Sequence, residues 1–340
     1  MQPRPGNWLN TLRGLAASAV VFFHLNEVIV YAQEPYRSIV KAGWLGVPVF
    51  FVISGYVITA AALRQPDGRS FSLRRWWRIY PPYLASLGLV IAVIALRKVA
   101  TGTNDVRPLP HGFGAWLATL TLTTDPVTSV PTIDWVYWTL SCEAAFYLAY
   151  AIILFTLPRR LAGAAAALSL VCLLPGIPGF LLFFAHNWWQ FALGATLALG
   201  ARNPASWTIW VACAVSAWQL HEGAIALAGV LTAASIAFSR TSAGNWLNRE
   251  PYFAQIGLIS YSLYLIHTPL GVYLYSRLRP LAVATNFPLH LACDIGLYLL
   301  CVVSAWVFWR LVENPAHQRG RRIIAKPAIL MGGAHGPHAL

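Results

Sequence analysis

Charge is the scarcest commodity in this 340-residue sequence: 10% of its residues are Asp, Glu, Lys or Arg, and 58% are apolar. A soluble domain carries about 25% charged residues, so a chain this apolar lacks the polar coat that would face water. Acidic residues are rarer still, 11 against 24 Lys and Arg. The five cysteines, Cys142, Cys172, Cys213, Cys293 and Cys301, are odd in number, sit inside apolar segments and show no C-x-x-C or Cys/His spacing. That argues against a disulfide framework and a zinc site, and no metal is expected. The cysteines read as small packing residues. No stretch has the composition of a soluble domain, no internal or inverted repeat is visible, and no A-x-A site closes the first apolar run, which contains Arg13, so no cleaved leader is expected.

What the sequence does have is apolar blocks near the ~20 residues a helix needs to cross a bilayer. Ten segments qualify as spans, at 9–31, 43–63, 80–96, 134–157, 161–176, 180–199, 205–220, 224–239, 252–274 and 288–312, with a weaker stretch at 113–124 too short to span. The expected fold class is therefore an all-α integral membrane bundle of about ten transmembrane helices. A net charge of +13 would suggest nucleic acid in a soluble protein. Here the basic residues fall mainly in loops between apolar blocks, so no nucleic-acid partner is expected and the lipid bilayer is. Placing the loop with Arg64, Arg69, Arg74, Arg75 and Arg78 in the cytosol puts most of the other loop arginines there too, with both termini cytosolic. Residues 1–316 form one transmembrane unit. Residues 317–340, basic and then Gly-rich, read as a disordered cytosolic tail.

An ionisable side chain at the bilayer centre costs about 2.5–3.5 kcal/mol, so each one is a site hypothesis. The deep set is Arg13, His24, Glu27, Glu143, His267 and Asp294, with His290 and Asp134 nearer an edge. On the expected topology His24, Glu143, His267 and Asp294 fall at a similar level in the outer half. Arg13 and His24 are eleven residues apart, close to three turns, so one helix face presents a cation near the cytosol and a base about 16 Å deeper. Glu27, three residues on, is expected on that face. Plainer readings stand beside these: Arg13 as a snorkelling anchor, His267 as an interhelical hydrogen-bonding group, and Asp294 as the partner of His290, four residues before it.

The run Phe71–Tyr83, FSLRRWWRIYPPY, places Arg75 and Arg78 on one face if it is helical. It serves equally as a positive-inside stop with an aromatic belt or as a phosphate site, since guanidinium groups bind phosphate through paired hydrogen bonds.

Six motifs in order, LRGLAASAVVFFH (12–24), GWLGVPVFFVISGYVIT (43–59), RRWWRIYPPY (74–83), WTLSCEAAFY (138–147), ISYSLYLIHTPL (259–270) and ENPAHQ (313–318), resemble the membrane-bound acyltransferase 3 family of bacterial O-acyltransferases. The resemblance covers nearly the whole chain. It implies a ten-helix inner-membrane (cytoplasmic membrane) enzyme that takes an acyl group, usually acetyl, from acyl-CoA to a hydroxyl of a carbohydrate or related acceptor. It implies that His24 and Arg13 are the family's helix-one pair, that Arg75 and Arg78 are its arginine pair, and that Glu143 is the acid of its W-x-L-x-x-E motif. Some members carry an extracytoplasmic SGNH-type domain. None is visible here, so action alone or with a separate partner is expected.

Combined with the residues, this predicts His24 as general base with Glu143 orienting it, and Arg13, Arg75 and Arg78 holding acetyl-CoA. Glu27, His267 and Asp294 are expected near the acceptor. Tyr147, Ser54 and Ser141 are candidate oxyanion donors. Cys142 points about 100° away from Glu143 and is read as packing, and an acylated His24 remains an alternative route. The competing class is a multi-pass transporter or proton-coupled carrier that uses the buried His and acidic residues as a relay.

Overall fold

The computed structural model describes residues 7–27, 35–102, 109–174, 179–249, 252–274 and 287–331. Among these, every regular element is helical: α1 (Asn7–Glu27), α2 (Pro35–Lys41), α3 (Gly46–Arg64), α4 (Gly68–Thr101), α5 (Gly112–Thr121), α6 (Trp138–Thr156), α7 (Leu161–Val171), α8 (Gly179–Leu199), α9 (Pro204–Gln219), α10 (Gly223–Ser239), α11 (Tyr252–Leu258), α12 (Ser260–His267), α13 (Phe287–Phe308) and α14 (Asn314–Met331). Two π-helical turns, Thr268–Leu274 and Trp309–Glu313, follow α12 and α13.

Each expected span is helical over most of its length, with two differences. The third span is the middle of a 34-residue helix, because Asp67 caps its start by accepting from the Ser70 amide (2.8 Å) and Gly102 ends it with φ +67°. Pro81 and Pro82 lie inside this helix. The ninth span is three pieces. Among the described residues, four helices are long and apolar enough to cross a membrane: Tyr36–Arg64, Gly68–Ala100, Trp135–Thr156 and Phe287–Ile323. The patternless tail expected from residue 317 is instead helical as far as Met331; residues 332–340 lie outside the described residues.

The outer surface is apolar in stripes. Leu148, Ile152 and Phe155 on α6, and Ile295, Leu299 and Val303 on α13, are exposed at helical spacing. Contiguous apolar faces of this kind are unfavourable in water, and lipid is the solvent that suits them. The chain is a membrane protein.

Inside, α3 packs most extensively on α8, and α1 on α11. Both contacts are backbone-close. A Cβ on Gly55 or Gly194 would overlap the Phe191 or Val52 carbonyl oxygen, and one on Gly14 or Gly257 would overlap that of Phe253 or Asn10. Apolar burial does not drive helices together in lipid, so close van der Waals packing and interhelical hydrogen bonds must do so. Thr59–Tyr150 (2.7 Å) joins α3 to α6, and Ser18–Tyr298 (2.8 Å) joins α1 to α13. The first contact fixes α8 beside α3. The second fixes α1, with Arg13 and His24, against the segment that carries His267.

Candidate active site

The cluster on α4 is helical, so Arg75 and Arg78 do share a face. With Arg13 from α1 they line a cavity of about 830 Å³, its open mouth included, walled also by Ser54, Glu143, Tyr147 and Tyr261. The Arg75 guanidinium lies 5.7 and 5.6 Å from the ring centres of Phe71 and Tyr147, and its buried Nε has no partner among the described residues. Arg13 and Arg78 feel each other's charge and those of Glu143 and Glu313. Three guanidiniums against one lining carboxylate make the cavity cationic. An anion with several acceptor oxygens is the ligand that would satisfy it.

Glu143 belongs to this cavity. It accepts from Tyr147 through a short hydrogen bond and from Ser54 Oγ at 3.1 Å. The expected pairing of Glu143 with His24 is therefore corrected. Ser54 from α3 and Tyr147, one turn along α6, hold the carboxylate in the cavity that the arginines line, and two of the three candidate oxyanion donors are thereby engaged. The third, Ser141, donates to the Leu122 carbonyl (2.8 Å).

The partner of His24 is His267. Carbonyl oxygens of Tyr264 (2.8 Å) and Leu263 (3.2 Å) face His267 Nδ1. A carbonyl only accepts, so in the neutral ring this nitrogen carries the proton and Nε2 keeps its lone pair. His24 Nδ1, 2.8 Å from His267 Nε2, must then be the donor. That leaves His24 Nε2 with an available lone pair. The backbone of α12 thus sets the tautomers of both rings. Buried Asp134 accepts a hydrogen bond from Thr268, the residue after His267, and caps the turn before α6, which ties the start of the π turn to that of α6.

His24 opens onto a second cavity of about 560 Å³, mouth included, lined also by Trp44, Trp138, Asn187, Gln190 and Ile225. The two cavities share Val47 and Tyr264 in their walls. Arg13 and His24, on one helix, serve different cavities on either side of that partition.

Two further expectations are corrected. Glu27 is exposed while His24 is buried: three residues advance a helix by 300°, leaving Glu27 turned about 60° away. Asp294 lines neither cavity. It is fully buried, accepts from Asn26 Nδ2 (2.7 Å) and Tyr36 (3.0 Å), and lies 3.4 Å from His290 Nε2. This polar knot ties α13 to α1 and α2. His267 stands behind His24 and lines neither cavity. Sequence reasoning missed Tyr264, Gln190 and Glu313. Glu313, buried in the second π turn and accepting from Ser262 Oγ (2.6 Å), stands first in the ENPAHQ motif.

Comparison with known proteins bears on the family. The chain is 26% identical to a Komagataeibacter xylinus protein named membrane-bound transacylase BcsY, over 92% of this chain and 87% of that one. It is 29% identical to acyltransferase MdmB of Streptomyces mycarofaciens over 57% of each chain. It is also 29% identical to a Staphylococcus aureus protein named as an O-acetyltransferase, over 46% of this chain and 26% of that one. No solved structure matches. The family described as "Acyltransferase domain" matches residues 7–310, nearly the whole helical bundle with both cavities, and the chain belongs to that family of membrane-bound acyltransferases.

Proposed function

We propose that this protein is an O-acyltransferase of the inner membrane that moves an acyl group, acetyl by default, from acyl-CoA to a hydroxyl of a carbohydrate or related acceptor. In this reading ten helices cross with both termini in the cytosol, and the arginine cavity opens to the cytosol. The observation that carries it is a tautomer-fixed histidine pair one partition away from a three-arginine cavity.

Coenzyme A carries a diphosphate and a 3′-phosphate. Arg75 and Arg78 bind these at the mouth, Arg13 assists from α1, and Glu143 and Tyr147 keep the guanidiniums in place. The pantetheine arm then reaches past Val47 and Tyr264. His24 Nε2 takes the proton of the acceptor hydroxyl as its oxygen attacks the thioester carbonyl. The C–S bond breaks, and the imidazolium returns the proton to the departing thiolate. As His24 becomes cationic, its Nδ1–H bond to His267 strengthens, the role a carboxylate fills in a catalytic triad. His267 is a positioning residue here.

The test supplies membranes containing the protein with acetyl-labelled acetyl-CoA and follows label into hydroxyl-bearing products. His24→Ala should lose about 10²–10⁴-fold in kcat, the usual contribution of a general base, with the protein still inserted. Wild-type turnover in that variant would remove His24 from the mechanism.

A further inference from the structure

The two cavities differ in chemistry as well as in place. Three arginines and a glutamate line the first. No Asp, Glu, Lys or Arg is among the residues lining the second. Its lining residues carry the His24 imidazole, the Tyr264 hydroxyl, the indole N–H groups of Trp44 and Trp138 and two carboxamides, Asn187 and Gln190, set among aromatic and aliphatic faces.

Gln190 is the informative group. Its side chain is 2% exposed. Its Nε2 donates to Asn187 Oδ1 at 3.3 Å, while its Oε1 has no hydrogen-bond partner among the described residues. Turning the amide over would change which of its two atoms is orphaned and would still leave one unpaired. An unpaired buried amide atom is costly, and native proteins keep few of them. One that lines a cavity beside a base is accounted for if a ligand completes it. Tyr264 is already engaged, accepting from Thr139 (2.8 Å) and directed at the Val136 carbonyl (3.2 Å), whereas the Gln190 carboxamide keeps a buried atom free to read a ligand. Its geometry suits a hydroxyl, which can donate to the amide oxygen.

We propose that this cavity is the acceptor site and that it takes an uncharged, hydroxyl-bearing ring. The Gln190 carboxamide bonds one hydroxyl, Trp44 and Trp138 cover the apolar face of the ring, and a second hydroxyl faces His24 Nε2. The proposal rests on the transferase reading above and adds to it the acceptor's place, its lack of charge and the residue that reads it. A charged acceptor would enter a cavity with no counter-ion and be left unpaired in a low-dielectric site. A saccharide ring presents an apolar face and several hydroxyls, the combination this lining matches. The enzyme thereby sorts its two substrates by charge: the anionic donor goes to the arginines and the neutral acceptor to the amides.

The experiment extracts hydroxyl-bearing material from the cell that makes the protein and splits it by anion exchange into neutral and anionic fractions. Each is offered to the full-length protein in vesicles with acetyl-labelled acetyl-CoA. Label should enter the neutral fraction. Gln190→Leu, which keeps the bulk and removes both amide atoms, should raise the concentration of neutral fraction needed for half-maximal transfer by about tenfold, the effect of one hydrogen bond. Its KM for acetyl-CoA should stay at the wild-type value, which also reports that the variant is folded. Gln190→Asn, which keeps an amide, should recover part of the loss. Label entering only the anionic fraction, or wild-type dependence on the neutral fraction in both Gln190→Leu and Gln190→Ala, would overturn the acceptor site and leave the transferase reading standing. Label in neither fraction would remove the transferase reading, and this proposal with it.

Discussion

A histidine that donates to another histidine is held by a neutral acceptor, a weaker partner for an imidazolium than a carboxylate. What the pair His24–His267 supplies is orientation and a fixed tautomer. His267→Ala should therefore lower kcat by about 10²-fold, within the range of general-base effects, and leave KM for acetyl-CoA unchanged. His267→Gln, whose amide oxygen can still accept from His24 Nδ1, should recover part of the loss. Equal loss in both variants would point to packing instead. For the arginines the split reverses. Arg78→Ala removes charge-assisted hydrogen bonds worth about 1.5–3 kcal/mol, so KM for acetyl-CoA should rise by about 10–100-fold with kcat less affected. Arg78→Lys should not restore it fully, because an ammonium lacks the planar fork. At this scale neighbours along one helix were legible in the sequence and neighbours across helices were not. Helical spacing put Arg75 beside Arg78. Nothing in spacing could show that Glu143 faces arginines or that His24 faces His267, because both pairings depend on how separate helices rotate against one another.

At the scale of elements, the two glycine contacts carry the arrangement. Gly14 adjoins Arg13 in sequence and lets α1 meet α11 backbone to backbone. Gly14→Leu should force these helices apart and destabilise the fold by about 1–3 kcal/mol or more, as overpacking does; a lower melting temperature in detergent is the readout. The cap on α4 is a gentler case. Ser70, through its side chain and its amide, holds the Asp67 carboxyl below its usual range, so the cap's contribution is complete above that range and fades as pH falls through the lowered value. Asp67→Ala should cost about 1 kcal/mol at neutral pH, with a smaller penalty in acid. Hydropathy located these helices. It did not foresee that the third span would run 34 residues with Pro81 and Pro82 inside it, since proline pairs ordinarily mark an end, nor that π turns would follow α12 and α13.

At the scale of the whole molecule, the apolar composition made a membrane bundle legible before any contact was known. The exposed stripes on α6 and α13 are the same fact seen from outside. The number of crossings and their direction rest on the distribution of arginines. Reporter fusions after Gln65 and after Arg202 should both face the cytosol on the proposed topology, and opposite sides for the two would break the ten-crossing scheme.

A bilayer that stores an ion gradient tolerates no continuous water column through its proteins. Val47 and Tyr264 line both cavities, so where the two meet the wall is one aliphatic and one phenolic side chain. On the proposed reading a nucleotide carrier never has to leave the compartment that regenerates it. Only the acyl group stays behind when the pantetheine arm withdraws.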